Sequence, residues 1–579
     1  MSFYKYLVVA CYSYCFLSVL NAQELKVQEK DFADIVYESL RTGEKEISIP
    51  GGIYYMALEG GEPLHLKGLS GVVIDCNGSE IITRKASQAI QITECENVVL
   101  KNLSIDCQPL PFTQGTIVDM DRERRMWWEV EIMEGYPMES LLTTVPDRIQ
   151  VFDPATLTLR KNLYTYWRGN FASVIRVGDR RFRFTKKDFN ADSNEQVGDY
   201  LTMTLESGAG TRLHSIVLYK SKKVHLENIT IWSGNCFGFF EDQCEANSYH
   251  RCVIDRKMND PRVSFPRLRA INADAFHSKA AVVGPTVTNC IFRYHADDCI
   301  AINTSFYKVM TAKGTIVDVV SSVGQLKMSP GDTLRFVRYD GSIAGESVLL
   351  KMETATDFSQ KDLDAVNSKY HFTVDKRKHS DVTRLTLSSK VDVDNGGVVS
   401  SLTRGGNGFI LRNNILGHTR ARGILIKASN GVIENNEVVG CELGGIVLAP
   451  ELVWLEAGFS HNVLVQNNRI IDCMFANSSY GIEQAAPLCV VAINARNEVV
   501  PAGGFRQICV RHNIIINSPE PAMIFTSIVG GTVEHNTVVV SDSIRRTHGR
   551  ILKNTQAGTV WLINNKNLVY KDNLIKINK

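Results

Sequence analysis

Residues Asn414 to Val439 read NILGHTRARGILIKASNGVIENNEVV. The Asn-Ile-Leu that opens the stretch returns as Asn-Glu-Val-Val at Asn436, 22 residues on. Between them lies a second apolar run, Arg422-Gly-Ile-Leu-Ile-Lys427. The same unit recurs at Asn102, Asn228, Asn289, Asn468, Asn513, Asn536 and Asn573, each followed by a short run rich in Ile, Val, Leu or Thr. Strand-like units with a period of roughly 20 to 30 residues indicate a solenoid. No amphipathic helical pattern intervenes, which argues against leucine-rich and βαβ repeats. The expected fold is all-β, a right-handed parallel β-helix solenoid. Its asparagines stack at a turn, where Asn tolerates left-handed geometry and bonds along the stack. Triplets such as Asn228-Ile-Thr also read as glycosylation acceptors, but repeated placement before strands favours the turn.

Superposing the second strands gives lanes. Gly238-Phe-Phe-Glu-Asp-Gln243, Asp274-Ala-Phe-His-Ser-Lys279, Asp298-Cys-Ile-Ala-Ile-Asn303 and Arg422 to Lys427 align end to end. Side chains alternate between faces along a strand. Phe240, Phe276, Ile300 and Ile424 are then expected to point inward. Glu241, His277, Ala301 and Leu425 form one outward lane, and Gln243, Lys279, Asn303 and Lys427 the next. Acids, amides and lysines along one lane read as the floor of a sugar-binding cleft, with ordinary solvated surface as the alternative. His418 and Arg422 near the next rung are further candidates for holding sugar hydroxyls, and Glu451 and Trp454 after Leu448-Ala-Pro for walling the cleft, with an apolar lid piece as the equal reading of Trp454.

Two stretches break the rhythm, at 116–212 and 305–404. Both alternate like small antiparallel β-barrel-like modules inserted into the helix. Trp127-Trp128 in the first reads as module core more than as a sugar platform. The expected division is a leader at 1–22, helix at 23–115, module at 116–212, catalytic coils at 213–304, module at 305–404 and helix at 405–579. Lys5 and the apolar run Leu7 to Leu20 read as a secretory signal, so a secreted or periplasmic protein is expected, and no stretch is apolar enough to span a membrane. Among 579 residues, 64 basic against 62 acidic leave a net charge of +2, which does not point to nucleic acid. An oxidising compartment permits disulfides, but several of the twelve cysteines outside the leader, Cys290, Cys299, Cys441, Cys473, Cys489 and Cys509, sit in apolar strand patterns and read as buried thiols. No Cys-x-x-Cys occurs, and no metal or other cofactor is expected.

Asp274 and Asp298 lie 24 residues apart, one coil, and Asp297 adjoins them. Adjacent rungs are about 4.8 Å apart, so three carboxylates converge and at least one pKa must rise. A protonated acid beside an ionised one is what a glycosidase needs. An acidic ladder or a cation site is the plain alternative, though calcium wants six or more oxygens.

Asn272-Ala-Asp274 with Asp297-Asp298-Cys-Ile-Ala-Ile resembles the signature of pectin-type β-helix glycosidases. The chain is closer to glycoside hydrolase family 110, the exo-acting α-1,3-galactosidases. It is similar to that family in Ser104-Ile-Asp-Cys-Gln-Pro-Leu-Pro-Phe-Thr-Gln-Gly-Thr-Ile117, in Gly238-Phe-Phe-Glu-Asp-Gln, in Asp274-Ala-Phe-His-Ser and in Gly284-Pro-Thr-Val. Cys299 and Asn303 depart from its pattern. The resemblance implies inverting hydrolysis of a terminal α-1,3-galactoside in an oligosaccharide or polysaccharide. Asp297 would be the general acid, and Asp274 with Asp298 would hold and deprotonate the water. Inversion asks for acid and base about 6.5 to 9.5 Å apart. The resemblance also implies a homodimer. The same fold can carry a uronic-acid glycosidase, for which Lys279, Arg422 and Lys427 would hold the carboxylate. A polysaccharide lyase and a non-catalytic glycan-binding β-helix are the remaining readings.

Overall fold

The computed structural model describes residues 25–578 apart from 57–62, 85–87, 164, 190–192, 206–212, 322–325, 370–380, 477–485, 495 and 542–557. The expected leader lies outside these residues. Among the described residues strands dominate, and outside the two modules they stack in parallel into sheets of 21 and 11 strands, with Glu456–Ala457 added antiparallel to the second. Each strand pairs with its counterpart one rung away. Ile410–Arg412 lies on Gly431–Glu434, and Ile424–Ile426 on Ile446–Leu448. A continuous apolar core runs inside the stack from Phe32 to Val540. Helix Phe32–Arg41 closes one end, with Phe32 and Val36 fully buried and the Phe32 ring edge-on to Tyr54 at 5.4 Å. Such a cap keeps the last apolar rung from water. No helix among the described residues is long and apolar enough to cross a membrane.

The asparagines form a buried ladder. The Asn414 amide donates to Asn436 Oδ1 at 2.9 Å, Asn436 to Asn468 at 3.0 Å, Asn468 to Asn513 at 2.9 Å, Asn513 to Asn536 at 2.9 Å and Asn536 to Asn573 at 2.9 Å. The left-handed residue is the one before each rung of this ladder: Asn413, Asn435, Asn467, His512, His535 and Asp572. In the earlier rungs Asn102, Asn228 and Asn289 are themselves left-handed. The inward position after them is then apolar or a thiol: Leu103, Ile229 and Cys290. One turn thus uses asparagine for two purposes, backbone geometry and buried bonding. All twelve described cysteines are free, and all but the half-buried Cys509 are buried.

Within 305–404 the described residues form a closed six-stranded antiparallel barrel with its own core of Val309, Val317, Leu334, Phe336, Leu349 and Leu385. The first module differs from the expected barrel. It is an eight-stranded antiparallel sheet whose described strands do not close, and its first strand, Phe112–Met120, starts four residues before the expected boundary. Trp128 is buried in its core, and Trp127 lies under the Arg183 guanidinium at 4.7 Å.

Candidate active site

Register places the acids. Phe239, Phe276, Ile300 and Ile424 pair in succession and are fully buried. Two residues before each inward residue stand Phe237, Asp274, Asp298 and Arg422. The Ala275 amide donates to the Asp298 carbonyl at 3.0 Å, and the Cys299 amide to the Arg422 carbonyl at 2.9 Å. Asp274 and Asp298 therefore occupy adjacent rungs, as their spacing implied. One carboxylate oxygen from each of Asp274, Asp297 and Asp298 lies within 4.8 Å of the others.

Their surroundings separate them. Burial opposes ionisation of Asp297, but Arg420 at 2.5 Å and Arg148 at 3.2 Å outweigh it and hold this carboxyl below its usual range. Burial raises Asp274 well above the carboxylate range, helped by the charges of Asp297 and Glu456. Burial also raises Asp298, against the Arg422 guanidinium 2.9 Å away; Asp274 and Asp297 add to the rise, which reaches about 6. Three adjacent carboxyls titrate as a unit, and here the unit holds a proton more tightly on Asp274 and Asp298 than on Asp297. Exposure runs the other way. The Asp297 side chain is 21% exposed, against 7% for Asp274 and 6% for Asp298. A substrate reaches Asp297 first, yet Asp297 is the acid that holds its proton least. A cation placed among these acids would also meet the guanidiniums of Arg148, Arg420 and Arg422.

A second polar tier lies deeper along the strands. Asp242, Lys279 and Asn303 pair in register, and Lys427 follows Ile426 on the next rung. Lys327 of the barrel bonds both Asp242 oxygens at 2.6 Å. Lys427 bonds Glu451 at 2.8 Å and Glu456 at 2.7 Å, and Arg422 bonds Glu451 at 2.7 Å. The cations of this wall are thus matched by carboxylates. Among the described residues Lys279 alone on the lane has no carboxylate within salt-bridge distance.

No family model matches the chain. It is 26% identical to α-1,3-galactosidase B of Bacteroides thetaiotaomicron over 70% of its own length, and the match spans only 63% of that relative. It is 21% identical to α-1,3-galactosidase A of the same organism, covering 89% of this chain and 84% of that one. α-1,3-Galactosidase A of Bacteroides fragilis is 22% identical over 95% of this chain and 93% of its own. The chain is a homologue of the α-1,3-galactosidases. This agrees with the resemblance to glycoside hydrolase family 110. Among solved structures, the catalytic domain of a GH87 α-1,3-glucanase in complex with nigerose matches with a TM-score of 0.41 and 7% identity, over 96% of this chain and 68% of that one. A polygalacturonase from Erwinia carotovora matches with a TM-score of 0.35 and 9% identity, over 96% of each chain.

In this galactosidase homologue His277, Asn303, Arg422, Lys427 and Glu451 gather around the acids as expected. Glu241 and Gln243 do not. The rung of Phe239 is shifted by one residue from the expected alignment, so Phe239, not Phe240, points inward. Glu241 then faces the core, where it accepts from Ser278 at 2.6 Å, Tyr249 at 3.0 Å and Asn247 at 3.1 Å. Gln243 sits in a left-handed turn with φ 57°. His418 is stacked on Tyr294 at 4.7 Å, and the Arg256 guanidinium lies 3.8 Å from the same ring. No described bond joins His418 to the acids. Ala301 and Leu425, expected on an outward lane, are buried, and Leu425 belongs to a second apolar cluster with Val447 and Val491. Trp454 is exposed. Composition and period gave no sign of Arg148, Arg420, Trp167 or Glu456. Arg148 and Trp167 come from the first module, and the Trp167 ring lies 5.3 Å from the Arg148 guanidinium and 4.9 Å from that of Arg420.

Proposed function

We propose that this protein is an exo-glycosidase that releases terminal α-1,3-linked galactose from glycans, with inversion. The supporting observation is the cluster of Asp274, Asp297 and Asp298, whose carboxyls are driven to opposite protonation states within 4.8 Å. Asp297, the most exposed, donates to the departing oxygen after taking up the proton that the coupled unit carries. Asp274 and Asp298 hold the water. Lys427, Arg422 and Lys327 are paired with carboxylates, which leaves Lys279 as the one cation on the lane for a uronate and so favours a neutral sugar. Lys279 then donates to a hydroxyl, with Arg422, Lys427, Asn303 and Glu451 shaping the rest of the pocket. The reading includes a right-handed parallel β-helix carrying modules at 116–212 and 305–404, export through the leader at 1–22, and a homodimer.

The spacing favours a second reading. Inverting pairs typically stand about 6.5 to 9.5 Å apart. Retaining pairs stand about 5 to 5.5 Å apart. Oxygens within 4.8 Å of one another lie nearer the retaining figure. Product analysis by NMR decides between them and tests the substrate together. α-1,3-Galactosides should yield β-galactose first, and α-galacturonides should be left intact. Initial α-galactose would establish retention, and release of galacturonate alone would overturn the galactoside.

A further inference from the structure

A chain of seven contacts runs from one acid to another. His277 Nδ1 lies 2.7 Å from Asp274 Oδ2, and His277 Nε2 lies 3.1 Å from Asn303 Nδ2. Asn303 Nδ2 also lies 3.3 Å from Glu456 Oε2. Glu456 joins Lys427, Lys427 joins Glu451, Glu451 joins Arg422, and Arg422 joins Asp298, at 2.7, 2.8, 2.7 and 2.9 Å. Asp274, His277, Asn303, Asp298, Lys427 and Glu451 are all buried.

Read from the Lys427 end, the circuit has one consistent proton arrangement. Burial works against ionisation of Glu456, but Lys427 and Lys279 prevail and keep its carboxyl well below the usual range. An ionised carboxylate only accepts, so the Asn303 group facing it must be the NH2. The amide oxygen is left buried without a partner. The same NH2 faces His277 Nε2, so this nitrogen must be the acceptor. Burial lowers His277 to about 4, against the pull of Glu456, so the ring is neutral and carries a single proton. That proton is on Nδ1, pointing at Asp274.

We propose that Asn303 is a positioning residue that fixes the Nδ1–H tautomer of His277 and thereby holds Asp274 Oδ2 as a hydrogen-bond acceptor, oriented to take a proton from water once the proton of the coupled carboxyls has passed to Asp297. This departs from His277 as a sugar ligand, because both of its nitrogens are committed within the protein. It deepens the glycosidase reading and rests on it for its kinetic consequence alone. The other groups facing His277 are Phe237, stacked on it at 4.8 Å, and Phe240 at 5.8 Å, with Lys279, Lys427 and Asp298 acting through charge. None of these imposes a tautomer.

Asn303→Asp reverses the arrangement. A carboxylate accepts from Nε2–H, moves the proton off Nδ1, and leaves Asp274 facing a bare nitrogen. The test is nitrogen-15 NMR of the full chain, with the His277 signal identified by its loss in His277→Gln. The parent should show the Nδ1–H form and Asn303→Asp the Nε2–H form. On a galactoside, kcat should fall on the order of 100-fold with KM changed less than about threefold, as expected when the imidazole that orients the base is in the wrong tautomer. Should Asn303→Asp not fold, Asn303→Leu removes the donor at similar volume and should give a mixture of tautomers. An Nε2–H signal in the parent overturns the proposal whether or not the protein hydrolyses galactosides. So does a tautomer switch that leaves kcat unchanged in an active enzyme. A parent without hydrolase activity but with the Nδ1–H signal overturns the function and leaves the positioning intact.

Discussion

Arg420 and Asp297 form a 2.5 Å ion pair at the mouth of the acid cluster, and Arg148 supports the second Asp297 oxygen from the inserted module. The pair sets the terms on which Asp297 gives up a proton. Arg420→Met should raise the Asp297 pKa, because a charge that favours the ionised form is gone. With Asp297 as donor, the alkaline limb of kcat/KM should move to higher pH. A limb that stays in place would take the donor role away from Asp297. The stability consequence has a definite sign. A carboxyl held below its unfolded value, about 3.9, contributes stability above that pH and loses it as pH falls through the folded value. The variant should therefore melt lower than the parent at pH 7, and the gap should narrow toward pH 3.

The three acids act as one unit. Asp274→Asn, Asp297→Asn and Asp298→Asn should each lower kcat by roughly a thousandfold or more, because each removes a proton-transfer partner or a water ligand. Circular dichroism and thermal melts should show a folded chain in all three. Near-normal turnover by any one of them removes that residue from the mechanism.

Asp274 is also a stability liability. Its folded-state pKa is raised, so the folded protein binds a proton that the unfolded chain releases, and stability falls as pH rises through that window. Asn mimics the neutral acid and keeps an acceptor for His277. Asp274→Asn should therefore raise Tm at pH 8, with a smaller gain at pH 5. Active sites commonly trade stability for function in this way. A gain independent of pH between 5 and 8 would show that the carboxyl is ionised in the folded protein across that range.

The rungs were legible because each carries a local signature. An Asn-led run and a second apolar run are short-range patterns, and a separation of one coil brought Asp274 over Asp298 with no structure needed. The misplaced rung shows where that logic thins. Phe239-Phe240 offers two apolar residues in succession, and periodicity cannot choose between them. The deciding signal was the small residue before each inward one: Gly238, Ala275, Cys299, Gly423 and Gly445. A Cβ on Gly238 would come within 2.2 Å of Ile254 Cδ1 and 2.8 Å of the Ala275 carbonyl, so this lane must be small. Arg148 and Trp167 had no such signal. They reach the site from a module whose sequence follows its own sheet, and Asp297, the partner of Arg148, is 149 residues from it. The Asn303 amide orientation was equally hidden, since it depends on Glu456, 153 residues further along the chain.

The asparagine ladder gives a prediction about the fold alone. Asn468 is fully buried; its Oδ1 accepts from the Asn436 backbone and side chain, each at 3.0 Å, and its amide donates to the Ile433 carbonyl at 2.9 Å and to Asn513 Oδ1 at 2.9 Å. Asn468→Ala removes four hydrogen bonds inside the stack, although Asn513 Oδ1 keeps the Asn468 backbone N–H at 3.0 Å, and at roughly 1 kcal/mol each after local relaxation about 3 to 4 kcal/mol is expected. Asn435, at φ 55°, is used for backbone geometry instead. Asn435→Ala should cost only about 1 kcal/mol, the strain of a left-handed alanine. Urea unfolding measures both, through midpoints compared at constant slope. Equal losses at the two positions would mean that the ladder bonds contribute no more than the turn does.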